Sequence, residues 1–113
     1  MASQITLNLE QGALRFNFSP QAAQGLQSAL AEIMQLLKQR AAQGGEPAPQ
    51  NQAQPMEYQH TGEVFLEVFC NPNIWASPFA AKALVTLRDD RIRVTTEAEL
   101  SRLYEDVATF LEQ

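Results

Sequence analysis

Residues 41–61, AAQGGEPAPQNQAQPMEYQHT, form a polar segment in the middle of the chain. The segment holds three of the six prolines and is rich in glutamine and alanine, so it offers little apolar surface to a core. Burial of such a segment does not offset the conformational entropy that ordering it would cost. We therefore predict a flexible polar linker over residues 43–61, within a single domain of residues 1–113.

The part of the chain before the linker has the pattern of two strands followed by a helix. Apolar and polar residues alternate on both sides of Gln11-Gly12, which predicts a β-hairpin with one buried face. The alternating apolar residues are Ile5, Leu7, Leu9, Leu14, Phe16 and Phe18. Ser19 and Pro20 favour a helix start, because serine accepts a free N–H and proline fits the first helical position. Apolar residues then recur at helical spacing as far as Arg40, so we predict a ββα unit over residues 1–42.

The part after the linker has the pattern of three strands and a second helix. Apolar side chains occupy both faces of residues 64–70, which predicts a central strand. Alternation continues over residues 83–88 and resumes at residues 92–94 after the turn Asp89-Asp90. Thr96 and Glu99 have the spacing of a capping box, which predicts that the last helix begins there. We therefore predict a βββα unit over residues 62–113.

Together the two units predict an α+β fold with the order ββα–βββα. One apolar face on each strand and one apolar stripe on each helix suit a two-layer arrangement. We expect one five-stranded, mainly antiparallel sheet with both helices packed on the same face.

The net charge and the cysteine content indicate which binding partners and which cellular compartment to expect. The formal net charge is −5, with 8 basic residues against 13 acidic ones. Nucleic acids and anionic membrane surfaces both require concentrated positive charge, so we expect neither among the partners. Cys70 is the only cysteine, which excludes an internal disulfide, and the first residues contain no long apolar run. These features predict a cytoplasmic protein.

The residues that usually carry catalysis are few and scattered. His60 lies in the predicted linker, where a mobile backbone would not hold a catalytic base in place. Cys70 ends an apolar strand, and we expect it to be a small buried hydrophobe, the alternative being a reactive thiol. Potential metal ligands are not clustered at ligand spacing, and the sequence has no glycine-rich phosphate loop. We therefore expect no catalytic residue, no metal and no cofactor.

Apolar residues outside the predicted core indicate a binding surface. Phe65 and Phe69 share the strand face that points away from the helices, and Leu84 occupies the corresponding face of the next strand. Trp75 and Phe79 lie in the connection between these strands, residues 71–81. Aromatic residues in such a cluster typically anchor protein interfaces. The alternative is that residues 71–81 fold over the sheet and bury these side chains as a second small core.

A basic cluster accompanies the aromatic residues. Lys82, Arg88, Arg91 and Arg93 are half of the eight basic residues of the chain. Arg91 and Arg93 share one strand face and are suited to bind a carboxylate of a partner. The alternative is pairing with nearby acidic residues, such as Asp89 and Asp90.

The C-terminal segment, together with the Gln/Ala/Pro-rich segment before it, resembles small proteins of cyanobacteria. The C-terminal segment, residues 65–113, has the sequence FLEVFCNPNIWASPFAAKALVTLRDDRIRVTTEAELSRLYEDVATFLEQ. Some of those proteins act as assembly or accessory factors for photosynthetic complexes and carboxysomes. The resemblance implies an adaptor role and assigns no functional residue.

The function expected from these observations is that of a non-enzymatic adaptor, assembly factor or chaperone-like protein. It would bind a protein or peptide partner through the exposed aromatic sheet face and the loop of residues 71–81. A homodimer formed through the same face and a small-ligand carrier are the alternatives.

Overall fold

The structure, a computed structural model, describes residues 3–42 and 53–113 and has the predicted α+β class. Within these residues six strands form two antiparallel sheets, and one helix follows the second strand and another follows the sixth. The elements are β1 (Gln4–Leu9), β2 (Gly12–Asn17), α1 (Pro20–Ala42), β3 (Met56–Thr61), β4 (Phe65–Cys70), β5 (Lys82–Arg88), β6 (Arg93–Glu99) and α2 (Leu100–Glu112). One turn of 3-10 helix, Pro72–Ile74, lies between β4 and β5.

The N-terminal half forms the predicted hairpin and helix. Leu9 pairs with Gly12, so the hairpin turns at Glu10-Gln11, one residue earlier than the predicted Gln11-Gly12. The Ser19 side chain accepts a hydrogen bond from the backbone N–H of Ala22 at 3.1 Å and so caps α1, as predicted. The apolar stripe of α1 is buried along its whole length, at Ala23, Leu26, Leu30, Ile33 and Leu37.

The C-terminal half forms a four-stranded sheet in the order β3-β4-β5-β6. The predicted central position of β4 is confirmed, because it pairs with β3 on one side and β5 on the other. The Asp89 carboxylate accepts hydrogen bonds from the backbone N–H groups of Arg91 and Ile92, both at 2.8 Å, which fixes the predicted turn between β5 and β6.

The predicted linker is wrong in its last part, since Met56–Thr61 is the edge strand β3. Met56 is buried, and the Tyr58 hydroxyl donates a hydrogen bond to the carbonyl of Ala22 in α1 at 2.8 Å. An edge strand needs only one apolar face, so the weak alternation in MEYQHT is sufficient for pairing with β4. The earlier part of the prediction, residues 43–52, lies outside the described residues.

The prediction of one five-stranded sheet is also wrong, because β1 and β2 form a separate two-stranded sheet. The free edge of β1 is partnered by a helix: the Asp106 carboxylate of α2 accepts the backbone N–H of Asn8 at 2.7 Å. A side chain thus takes the hydrogen bond that a neighbouring strand would otherwise make.

The predicted capping box does not form. Thr96 lies inside β6, and α2 begins four residues later, at Leu100. The preceding residue, Glu99, makes no side-chain cap hydrogen bond. The first helical N–H, that of Leu100, instead donates to the carbonyl of Ala81 at 3.0 Å, so the β5–β6 ladder itself satisfies one free donor of the helix end.

One hydrophobic core joins both sheets and both helices. The inner face of the four-stranded sheet contributes Leu66, Val68 and Val85, each with no exposed area. The two helices contact each other; in addition α1 contacts β3, while α2 contacts β1 and β6. Within residues 3–42 and 53–113, neither helix combines the length and hydropathy that crossing a bilayer requires.

Candidate protein-binding surface

The side of the four-stranded sheet that points away from the core is called the outer face here. Its residues form three rows across β3, β4, β5 and β6, because directly paired residues point to the same side of a sheet. In strand order, the first row is Thr61, Phe65, Arg88 and Arg93; the middle row is Gln59, Glu67, Thr86 and Thr95; the third row is Glu57, Phe69, Leu84 and Glu97.

The apolar part of the outer face follows β4. Phe65 and Phe69 are half-buried and lie on the same side of this strand. Leu84, which pairs with Phe69, leaves 44% of its surface exposed. The guanidinium carbon of Arg88 lies 4.4 Å from the centre of the Phe65 ring, a cation–π contact that covers one side of this ring. The register therefore brings Phe65, Phe69 and Leu84 onto one surface.

The ends of the outer face carry opposite charges. Arg88 and Arg93 pair with each other in the first row, whereas the third row has Glu57 at one side and Glu97 at the other. The middle row is held by side-chain contacts. The Gln59 amide donates to the Glu67 carboxylate at 2.8 Å, and the hydroxyl oxygens of Thr86 and Thr95 are 3.5 Å apart.

The loop of residues 71–81 begins with a fixed segment built around Asn73. The Asn73 side chain accepts the backbone N–H of Ala53 at 2.9 Å and donates to the Ala53 carbonyl at 2.8 Å. It also accepts from the Arg40 guanidinium at 3.0 Å, while its backbone N–H donates to the side chain of Asn71, also at 3.0 Å. These bonds join the loop to the end of α1 and to the residues just before β3.

The large apolar residues of this loop have different surroundings. Trp75 is half-buried and packs against the core, which agrees with the alternative that part of the loop folds over the protein. Phe79 and Ile74, in contrast, are 76% and 66% exposed. The structure therefore separates Trp75 from the exposed Phe79, although the sequence analysis placed both in one surface.

The four basic residues are also separated. The Lys82 ammonium lies 3.7 Å from the carboxylate of Glu10, a residue in the turn of the β1–β2 hairpin. Arg88 is held over Phe65, as described above. Arg91 and Arg93 are exposed and form no ion pair with another described residue. The alternative of pairing with Asp89 is not seen, since this carboxylate binds backbone N–H groups, which lower its pKa.

The two side chains most often used in catalysis both take part in packing. His60 points to the inner side of β3, where its ring meets the ring of Phe18 edge-on at 5.2 Å between centres. Its Nε2 would be 2.8 Å from a Cβ added at Gly62, so glycine is needed there for this arrangement. Cys70 is buried at the end of β4, and burial raises the pKa of its thiol to about 11. A thiol with this pKa is largely protonated, and hence weakly nucleophilic, at neutral pH.

The described part of the chain also has a surface cleft, whereas it has no cluster of metal ligands. A surface cleft of about 370 Å³ lies between α1 and the start of β3, lined among others by Glu32, Ile33, Met56 and Glu57. Within residues 3–42 and 53–113, no group of three or more histidine, cysteine or acidic side chains is arranged to hold a metal ion.

Sequence reasoning found four of the residues on or next to the outer face by strand parity alone: Phe65, Phe69, Leu84 and Arg93. It missed the contribution of β3, namely Glu57, Gln59 and Thr61. The signal was present as the alternation of Met56, Tyr58 and His60 with these polar residues. Comparison with protein-family models, curated proteins and solved structures finds no match to this chain.

Proposed function

We propose that this protein is a small adaptor that binds a protein partner through the outer face and the exposed end of the loop of residues 71–81. In this proposal it has no catalytic role of its own. The observation that carries the proposal is the column of Phe65 and Phe69 on a sheet face that neither helix covers, with Leu84 beside it. Partly exposed aromatic residues are typical anchors of protein interfaces, and Phe65 and Phe69 lie on either side of Glu67 along β4.

The connectivity of the chain supports an extension of this surface onto the loop. The loop leaves the sheet after Cys70 and returns at Lys82, so it lies at the end of the sheet that carries Phe69 and Leu84. Phe79 is only three residues from the start of β5 and is 76% exposed. For these two reasons the proposed surface includes Phe79.

The packing of His60 and Cys70 supports a role in binding over one in catalysis. The half-buried His60 ring packs edge-on against Phe18 and the Cys70 side chain is buried, while the Asn73 network fixes the start of the loop. The charged residues of the outer face surround the aromatic residues on both ends. This arrangement favours recognition of a surface with apolar groups between charges of both signs.

The experiment compares the full chain with Phe69→Ser as immobilised baits for proteins from a lysate of the source organism. The matched control is Ile92→Ser, which removes an apolar side chain that is 65% exposed but lies outside the outer face. We expect the wild-type chain and Ile92→Ser to capture the same partner and Phe69→Ser to lose it. Thermal melting of each variant shows that the fold is kept. Capture of the same proteins by all three baits would overturn the proposal.

A further inference from the structure

The charges on the outer side of β6 change sign along the strand. Arg93 begins the strand, and Arg91 precedes it by two residues in the turn. Glu97 and Glu99 lie at the opposite end, next to α2, and Thr95 is in the middle. A strand with this order of charges is complementary to a second copy of itself that runs in the opposite direction.

Two further charges of the outer face follow the same order, whereas Lys82, opposite Glu99, is a basic residue at the acidic end. Arg88 adds positive charge to the first row, and Glu57 adds negative charge to the third. The three rows together contain two arginines and three glutamates, so charges of both signs are available for contacts across this face.

We propose that the outer face binds a second copy of this chain, packed face to face with its strands reversed. This proposal rests on the proposed function and names the partner. A two-fold axis that crosses the strands at the middle row places Arg93 opposite the partner's Glu97, and Phe65 opposite the partner's Phe69. The contacts between Phe65 and the partner's Phe69 therefore lie beside charge pairs of opposite sign.

A two-fold axis parallel to the strands gives a different set of contacts. In that arrangement each row meets itself, and β3 of one copy lies over β6 of the other. Glu57 would then face the partner's Glu97 twice, so the acidic ends would meet. The reversed arrangement brings only one like-charged pair together, Glu67 with the partner's Glu67, and this carboxylate already accepts a hydrogen bond from Gln59.

The position of the β1–β2 hairpin favours binding of a second copy to the outer face over addition of a strand at the edge of β6. Leu9, Glu10 and Gln11 lie beside Thr96 and Glu97, across a cleft of only about 250 Å³, and β1 contacts β6. A strand added beside β6 would have to lie about 4.8 Å from it, in the space that the hairpin occupies. The hairpin tip also borders the outer face at its Glu97 end, where Glu10 pairs with Lys82, the residue opposite Glu99.

The size of the face sets the strength of association. Four strands about 4.8 Å apart and about six residues long cover roughly 400 Å² per copy. A stable interface typically buries about 800 Å² per partner. The dimer is therefore weak, and its dissociation constant falls within the micromolar range.

The experiment is sedimentation equilibrium of the full chain over concentrations from about 1 to about 500 μM, the range in which an interface of this size dissociates. Arg93→Glu alone and Glu97→Arg alone each place like charges opposite each other at both ends of the dimer. We expect each variant to weaken self-association by about tenfold or more. A mixture of the two variants restores opposite charges at both contacts, so it should associate about as well as the wild-type chain. Arg102→Glu, which makes the same charge change on the exposed side of α2, is the matched control and should have no effect.

Glu67→Gln tests the axis independently. This change removes the one like-charged pair at the centre and leaves an acceptor for Gln59, so it should strengthen the dimer. Thermal melting of every variant shows that association is compared between folded proteins. A chain that is monomeric throughout this range, a mixture that does not restore association, or equal effects of Arg93→Glu and Arg102→Glu would overturn the proposal.

The outcome is distinguishable from failure of the proposed function. A monomeric chain that captures another protein in a Phe69-dependent manner refutes the second copy as the partner and leaves the proposed function standing. Self-association that is insensitive to Phe69→Ser and to the charge variants, with equally insensitive capture, refutes both proposals.

Discussion

The Asp106 carboxylate of α2 holds Asn8 of β1 by two hydrogen bonds, from the backbone N–H at 2.7 Å and from the side-chain amide at 3.0 Å. The two residues are 98 positions apart in the chain, so this contact joins the first strand to the last helix. It also occupies the edge of β1 that would otherwise be open to a further strand. At Asn8 the edge of β1 is therefore covered by a helix side chain and not by a strand.

Asp106→Ala should lower the free energy of unfolding by about 2 kcal/mol, because it leaves the partly buried N–H of Asn8 without its charged acceptor. Urea denaturation monitored by circular dichroism measures the change. Glu105→Ala removes a neighbouring carboxylate on the exposed side of α2 and should change the stability by less than about 0.5 kcal/mol. Equal losses in the two variants would show that net charge, rather than the contact with Asn8, is responsible.

Local sequence patterns were sufficient for most elements but not for their assembly. The hairpin, α1, the central position of β4 and the turn at Asp89 all depend on neighbouring residues, and all four were predicted. Two sheets instead of one could not be predicted, because the partner of Asn8 is nearly the whole chain away. The strand β3 was missed because its outer side is polar and the segment before it resembles a linker.

In the candidate surface, too, local patterns predict some residues and miss others. Strand parity is enough to place Phe65, Phe69 and Leu84 on one face, since alternation is a property of each strand alone. Trp75 lies in a loop without periodicity, and its packing against the core depends on the path that the Asn73 network imposes. Loop side chains of this kind are beyond the reach of pattern analysis.

Thr96→Val should leave the stability unchanged or raise it slightly. Thr96 lies within β6 on the side that faces the core and is half-buried, and valine is well suited to such a position. If Thr96 capped α2, the same change would cost about 1 kcal/mol. Thermal and urea unfolding of the variant distinguish the two roles. A loss near that value would contradict the observed start of α2 at Leu100.

The stability of the protein should fall as the pH rises above about 9. Burial raises the pKa of the Cys70 thiol from 9.0 to about 11, so the unfolded chain loses this proton at a lower pH than the folded chain. The contribution of the protonated Cys70 to the free energy of unfolding is therefore fully present below pH 9 and is lost as the pH rises toward 11. Burial also raises the pKa of Tyr58, which acts in the same direction at higher pH.

Cys70→Val isolates the contribution of the thiol to this pH dependence. Urea denaturation at a series of pH values should give a shallower decline for the variant than for the wild-type chain between pH 9 and 11. Tyr58 and the lysines are common to both proteins, so the difference between the two curves reports Cys70. Curves of the same slope would show that the thiol is accessible to water in the folded protein.

Substitutions at Trp75 and Phe79 should separate packing from binding. Trp75 packs against the core, so Trp75→Ala should lower the free energy of unfolding by about 3 kcal/mol. Phe79 is 76% exposed, so Phe79→Ala should cost less than about 0.5 kcal/mol.

Trp75→Phe adds a finer test, because the indole Nε1 is buried and makes no hydrogen bond with any described residue. Phenylalanine keeps part of the packing and removes this unsatisfied donor, so its cost should be well below that of alanine. Melting of the three variants measures these differences, and a stable Trp75→Ala would return Trp75 to the binding surface.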